Sequence, residues 1–261
     1  MSYNDIELLK DEAAATIVVD RPKFRNAVRY ETMLEINTAL DDIEADPNIR
    51  VVVITGSGDK AFVSGGDITV MAEDMSYVDT LQSINKGQDV ITRIEYFPKP
   101  VVARINGYAL GGGSEIALGC DIRIASENAF FGFPEITLGI IPGYGGTQRL
   151  PRALGMGPAK ALILTGDRIS ARQALEAGLV SQVVSQEDLD KAVSGVVEKL
   201  AARPPVALHM AKTAMNNGIQ ADLRTGLDIE SRCYSLCFGT RDRSQGMNAF
   251  LEKRTPVFEG R

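Results

Sequence analysis

The chain is poor in the residues that build metal centres and disulfides, with one histidine, His209, and three cysteines among 261 residues. An odd cysteine count without zinc-type spacing, and a solitary imidazole, remove the raw material for three things: a disulfide scaffold, a Cys/His nucleophile pair and a histidine-rich metal site. Cys120, set among Ala117, Leu118 and Ile122, reads as a buried thiol. His209, on an expected late helix, reads as structural or exposed. Long apolar runs are missing too: none approaches the roughly 20 residues needed to cross a bilayer. Met1 to Asp11 is acidic and polar where a secretory signal needs a basic start and an apolar stretch, so no membrane association is expected and the expected compartment is the cytoplasm. Nor is there a basic stripe. The net charge is -6 with lysines and arginines dispersed, so no nucleic-acid partner is expected, although a few placed cations suffice for a small anion.

What is present is enough apolar sequence, 44%, to bury one large core or a core with a small appendage. The first half alternates expected strands and helices: strands at Ile6 to Leu9 and Ala15 to Val19, a helix from Tyr30 to Ile43, and a strand from Ile49 to Thr55 that stops at Gly56-Ser57-Gly58-Asp59. A second cycle has helices from Asp67 to Met75 and Thr80 to Tyr96, then a strand Val101 to Ile105 ending at Asn106-Gly107. A third starts a helix at Ser114 to Leu118 and returns as a strand from Asp121 to Ala125. Such repetition predicts an α/β core with parallel pairing, its loops gathered at one edge. After Gly143 the pattern is mainly helical, with helices at Thr147 to Leu154, Gly157 to Leu164, Ser170 to Ala177, Glu187 to Leu200, Pro205 to Asn216, Leu223 to Phe238 and Arg243 to Lys253. The hinge-like Ala201-Ala202-Arg203-Pro204-Pro205 divides an expected core, 1–200, from a helical region, 201–261.

Two glycine-rich segments stand where strands meet helices: Ser64-Gly65-Gly66-Asp67, and Gly107 to Gly113. Glycine permits tight turns and close approach, and the free N–H groups of a helix start favour negative charge. Two such turns can aim two amides at one oxygen, an oxyanion hole made of backbone; the alternative is two packed turns. Neither is a nucleotide-binding fingerprint. Glu115 follows the glycine triplet and Glu135 stands in Phe133-Pro134-Glu135, both in largely apolar surroundings. An ionisable group there needs a local reason, and moving a proton or activating water is one. A helix-start charge is the other reading for each. Asp67 sits where a helix cap is expected and Asp121 where a turn meets a strand. Phe130, Phe131 and Phe133 suit a core or a pocket wall.

Taken in order, Phe62 to Asp67, Gly107 to Asp121, Phe131 to Gly139, Pro142 to Arg149, Leu164 to Val180 and the closing Gly246 to Arg254 resemble the enoyl-CoA hydratase/isomerase (crotonase) family. The resemblance implies a spiral of repeated ββα units with a C-terminal helical trimerisation region, as a homotrimer or dimer of trimers. It implies an acyl-CoA substrate and addition of water to a 2-enoyl thioester, with no metal or redox cofactor. Carried over residue by residue, the amides of Gly66 and Gly112 hold the thioester oxygen, Glu115 serves as base and Glu135 as the acid at C2. Lys23, Phe24, Arg25, Ala61, Asp67 and Ile68 fall at the matching coenzyme A region, and Phe250 and Lys253 reach a neighbouring subunit's pocket. Arg25-Asn26 and Ser64 to Asp67 look more like the naphthoyl-CoA synthase branch, whereas Phe133-Pro134-Glu135 and Pro142 to Gly146 follow simple hydratases. The resemblance therefore also admits a hydratase of a cyclic or dienoyl-CoA, or an enoyl-CoA isomerase. A noncatalytic RNA-binding relative would need the basic stripe that is missing.

Overall fold

The computed structural model describes residues 3–72 and 75–261. It opens with an antiparallel hairpin, β1 (Ile6–Asp11) and β2 (Ala14–Val19), turned by Glu12 at φ 47° and Ala13. Here the expected parallel pairing fails, because a two-residue link is far too short for the crossover that parallel neighbours require. After a 3-10 turn at Pro22–Phe24 comes α1 (Tyr30–Ala45), whose Met33, Ile36, Leu40 and Ile43 recur at helical spacing and are all buried.

Three passes of strand, strand and helix follow. The first is β3 (Val51–Gly56), β4 (Ala61–Val63), α2 (Ile68–Met71) and α3 (Tyr77–Tyr96). The second is β5 (Val101–Ile105), β6 (Tyr108–Leu110) and α4 (Gly112–Gly119). The third is β7 (Ile122–Ser126), β8 (Phe130–Gly132), α5 (Gly146–Leu154) and α6 (Met156–Thr165). In every pass the first strand joins a six-stranded sheet and the second a four-stranded one, so β3, β5 and β7 are parallel neighbours in one and β4, β6 and β8 in the other. Two buried asparagines staple the corners between the sheets. Asn106 Nδ2 donates to the carbonyls of Gly56, Gly58 and Ala61, and Asn26 Nδ2 to those of Ser57 and Ala61.

The rest of the chain is β9 (Arg168–Ser170), α7 (Ala171–Glu176), β10 (Gln182–Val184), α8 (Leu189–Ala201), α9 (Pro205–Gly218), α10 (Leu223–Phe238) and α11 (Arg241–Leu251). The two strands interrupt a stretch that the sequence pattern reads as helical. Three residues are too few to show a period, and pairing alone makes them strands: β9 antiparallel to β8, β10 parallel to β7. The helix expected from Asp67 to Met75 is the four-residue α2, and residues 73–74 of it lie outside the described region. Among the described residues no helix is long and apolar enough to cross a membrane.

The main core lies between the two sheets and helices α1, α3 and α4, while Leu189 and Val193 of α8 cover Val51, Val53, Val102 and Ile124 on the other face of the large sheet. Burial on both faces explains why β3 reads as an unbroken apolar run. Helices α9 and α10 pack on each other, and α9 is tied to the core by Lys212, whose Nζ donates to Asp121 Oδ2 at 2.8 Å and to the Ile94 carbonyl at 3.2 Å.

Helix α4 is wholly buried and can lie against β4 only because residue 113 has no side chain: a Cβ there would overlap the Val63 carbonyl oxygen. Gly113→Ala gains about 1 kcal/mol of helix propensity but meets an unyielding backbone atom, an overpacking cost of about 1–3 kcal/mol or more. Urea unfolding is expected to show a net loss of stability, and a variant as stable as the parent contradicts the close packing described.

Candidate active site

Strands β4, β6 and β8 of the small sheet each lead into a turn that carries candidate site residues. After β4, Gly65 at φ 122° bends the chain so that its carbonyl accepts from Val28 N at 2.9 Å, and Asp67 N returns to the Val28 carbonyl at 2.8 Å. Because the carbonyl and N–H of a trans peptide point opposite ways, holding Gly65 O toward Val28 sends the Gly66 N–H toward the other side. After β6, Gly111 at φ 51° donates to Gly132 O at 2.9 Å and accepts from Glu115 N at 3.0 Å, which leaves Gly112 as the first residue of α4. The turns are adjacent: a Cβ on Gly111 would lie 3.7 Å from Gly65 Cα, and one on Gly112 3.8 Å from the Gly65 carbonyl carbon. Among the described residues, neither the Gly66 nor the Gly112 N–H donates to a protein acceptor.

Glu115 lies one helical turn after Gly112 on the same face and is 2% exposed. Its Oε1 accepts from Tyr144 N at 2.8 Å and Gly146 N at 2.7 Å, the latter at the N-terminus of α5 where the helix dipole favours an anion. Burial is the largest influence and, with the charge of Glu135, pushes the Glu115 carboxyl up to about 7 against the opposing pull of the two N–H groups and Arg149. Glu135 follows β8, in the 3-10 helix Pro134–Leu138. A Cβ on Gly111 would come within 2.6 Å of Glu135 Oε1, so this close approach requires the missing side chain at 111. Glu135 Oε2 is buried with no hydrogen-bond partner among the described residues, and burial raises its carboxyl above the ordinary range. Among the described residues, the turns thus gather two donors without acceptors, a carboxylate held by two amides, and a second carboxyl with an unmatched oxygen. Buried polar groups are seldom left this way without a use.

The remaining sequence-predicted residues fall into three groups. Lys23, Phe24 and Arg25 are exposed on the 3-10 turn and its left-handed end, φ 51° at Arg25, and lie alongside the first glycine turn through Ser64 N to Arg25 O and Ser64 Oγ to Phe24 O, both 3.3 Å. Ile68, 58% exposed, begins α2 just past Gly66. Ala61 and Asp67 face inward. Ala61 is buried in β4, and Asp67 caps α2 through Thr69 N while binding Arg21 Nη2 at 2.8 Å. Burial works to raise the Asp67 carboxyl, but its bonds to Thr69 and Arg21 outweigh that and hold it below the usual range. Phe250, 83% exposed, and Lys253 lie on the surface at the end of α11. Asn26, part of the likeness to ring-forming synthases, is here a corner staple.

Sequence reasoning missed the two amides that hold Glu115. Any residue supplies a backbone N–H, and the only signal was glycine density in Pro142 to Gly146. It also missed the Tyr144 ring, which packs so closely on α3 that a Cβ on Gly87 would overlap it and which lies 3.6 Å from where a Gly112 Cβ would be. Burial and the nearby Glu115 push the Tyr144 hydroxyl up to about 12.

The raised Glu115 carboxyl has a cost that depends on pH. Below about 4.5, its ordinary value, folded and unfolded chains both hold the proton; between 4.5 and about 7 the unfolded chain releases it first, which favours unfolding. Relative to a Glu115→Gln variant, the parent is expected to lose stability of the order of 3 kcal/mol across that interval. Denaturation measured at several pH values checks this, and a pH-independent difference between the two proteins contradicts it.

Residues 10–261 match the sequence pattern of the Enoyl-CoA hydratase/isomerase family. A crotonyl-CoA hydratase from Syntrophomonas wolfei is 45% identical over 258 residues, 99% of each chain, and a short-chain-enoyl-CoA hydratase from Clostridium acetobutylicum is 44% identical over 97% of each. The crystal structure of an enoyl-CoA hydratase from Bacillus anthracis has a TM-score of 0.94 at 42% identity, covering 99% of this chain and 100% of that one. The paired strands of each pass, the two sheets they build and this likeness have one conclusion: the chain has the crotonase fold and belongs to the enoyl-CoA hydratase/isomerase family.

Proposed function

We propose that the protein adds water reversibly across the 2,3 double bond of a short-chain 2-enoyl-CoA thioester, giving the 3-hydroxyacyl-CoA. The observation that carries this reading is the meeting of two N–H groups without acceptors among the described residues, those of Gly66 and Gly112, with two carboxyl groups, buried Glu115 and half-buried Glu135. Attack of water at C3 moves the electrons of the double bond toward the thioester carbonyl. Fixed donors at that oxygen stabilise the enolate without reorganising.

The environments of the two acids support a division of labour. Glu115, its carboxylate form stabilised by two amides and its acidity near neutrality, accepts the proton of the attacking water. Glu135, favoured in its neutral form by burial and with one oxygen unpartnered, delivers a proton to C2. The hydroxyl ends on C3 and the Glu135 proton on C2, and the proton taken up by Glu115 returns to Glu135 through solvent before the next turnover; dehydration is the same path reversed, and neither a metal nor a redox cofactor takes part. Lys23 and Arg25 meet the coenzyme A phosphates, with Phe24 and Ile68 beside the pantetheine, while Ala61 and Asp67 serve by shaping the backbone around the Gly66 turn. The names of the two relatives support the short acyl group, as does the Tyr144 ring filling the space between Gly87 and Gly112.

The same reading assigns the helical region, 201–261, to assembly as a homotrimer or a dimer of trimers. Exposed Ile219 in the turn after α9 and Leu223, Leu227 and Tyr234 on α10 supply apolar surface, and Phe250 and Lys253 extend toward a neighbour's pocket.

Loss of the conjugated thioester absorbance of crotonyl-CoA tests the activity. Glu115→Gln and Glu135→Gln are each expected to fold and to lose about 10²-fold or more in kcat. Near-parental hydration by either variant removes that residue from the mechanism, and turnover of 3-enoyl but not 2-enoyl thioesters replaces hydration with isomerisation.

A further inference from the structure

We infer that Gln88 and Arg149 are positioning residues for Glu115, gripping the turn 143–146 from behind so that its two N–H groups stay aimed at the carboxylate. The inference rests on the reading of Glu115 as the base. Its geometry begins with the Gly143–Tyr144 peptide, whose N–H donates to Glu115 Oε1 at 2.8 Å while its carbonyl accepts from Gln88 Nε2 at 2.7 Å. With N–H and C=O on opposite edges of one rigid plane, a partner on each edge fixes its orientation, and the bond to the carbonyl polarises the N–H. The next peptide is held by Arg149 Nη1, which donates to the Tyr144 carbonyl at 3.0 Å. The third, Gly145–Gly146, gives its N–H to Glu115 at 2.7 Å and its carbonyl to Gln148 N and Arg149 N in the first turn of α5. Gly145, at φ 108°, lacks the Cβ that would overlap the Arg149 guanidinium.

The grip is anchored on one face of α3. Gln88, Thr92 and Glu95 are spaced by helical turns; Thr92 Oγ1 accepts from Arg149 Nη2 at 3.0 Å and Glu95 Oε2 from Nε at 2.8 Å. Gly87, on the same helix, leaves room for the Tyr144 ring, and a Cβ on Gly143 would come within 2.9 Å of Ile84. The charged and titratable groups facing Glu115 are then Glu135 from the 3-10 helix, Tyr144 from the turn and Arg149 from α5, itself paired with Glu95 of α3. Weakening either grip loosens donors that favour the carboxylate form, so Glu115 becomes harder to ionise.

The test is the pH dependence of crotonyl-CoA hydration by Gln88→Met, Gln88→Lys and Thr92→Val. Gln88 is exposed, so its replacement leaves the core intact. Gln88→Met is expected to move the acid limb of kcat to higher pH by about half a unit, with KM changed less than about twofold and kcat recovering above the limb. Thr92→Val moves the limb the same way, and Gln88→Lys, which keeps a donor, returns it to the parental position or below. A parental profile in Gln88→Met and Thr92→Val overturns the inference, as does a kcat lowered equally at every pH. Activity of the parent and its loss in Glu115→Gln are measured alongside, so failure of the base assignment is distinguishable from failure of the grip.

Discussion

A buried carboxylate held by two backbone N–H groups is the constraint around which this molecule is arranged. Glu115 is nearly inaccessible to solvent, and an isolated charge there would cost more than the fold can sustain. Two N–H groups at the head of α5 offset part of that cost, and Glu135 nearby, when it is ionised, restores some of it. The balance leaves a group able to hold or release a proton near neutrality. Groups of this kind are suited to general acid–base work, because protonation state and driving force are then matched.

The spiral topology explains how so many groups from distant parts of the chain arrive together. Strands β4, β6 and β8 run parallel, so their carboxyl ends lie along one edge. Immediately beyond those ends come Ser64 to Asp67, Gly111 to Glu115, and Phe133 to Glu135. One pass brings a donor, the next a donor and an acid, the third the other acid and then the turn that holds the first. Ligand sites at the carboxyl edge of parallel strands are a general consequence of this architecture. The glycines at 65, 111 and 113 let the passes stack closely enough for those groups to converge.

Much of this was legible along the chain because it is local. The spacing of Met33, Ile36, Leu40 and Ile43 announces α1, the apolar run Val51 to Ile54 announces a strand buried on both faces, and the glycine triplet before Glu115 announces a helix start beside an acid. What was not legible depends on partners far away in sequence. Strands β9 and β10 exist only through pairing, and the hairpin of β1 and β2 breaks the parallel rule because its link is short. Asp67, read both as a cap and as a coenzyme A contact, turns inward onto Arg21, 46 residues earlier. The amides of Tyr144 and Gly146 carry no side-chain signature at all, and Gln88 looks like any exposed helical glutamine until its bond to Gly143 is seen.

The proposed chemistry requires a thioester oxygen between the Gly66 and Gly112 amides, with the double bond facing both glutamates. A crystal structure of the protein with an unreactive short-chain acyl-CoA analogue measures this directly. The thioester oxygen is expected at about 2.7–3.1 Å from both nitrogens, with Glu115 and Glu135 flanking C2 and C3. An oxygen bound elsewhere, either amide turned from it, or the two carboxyl groups opening into separate cavities contradicts the account.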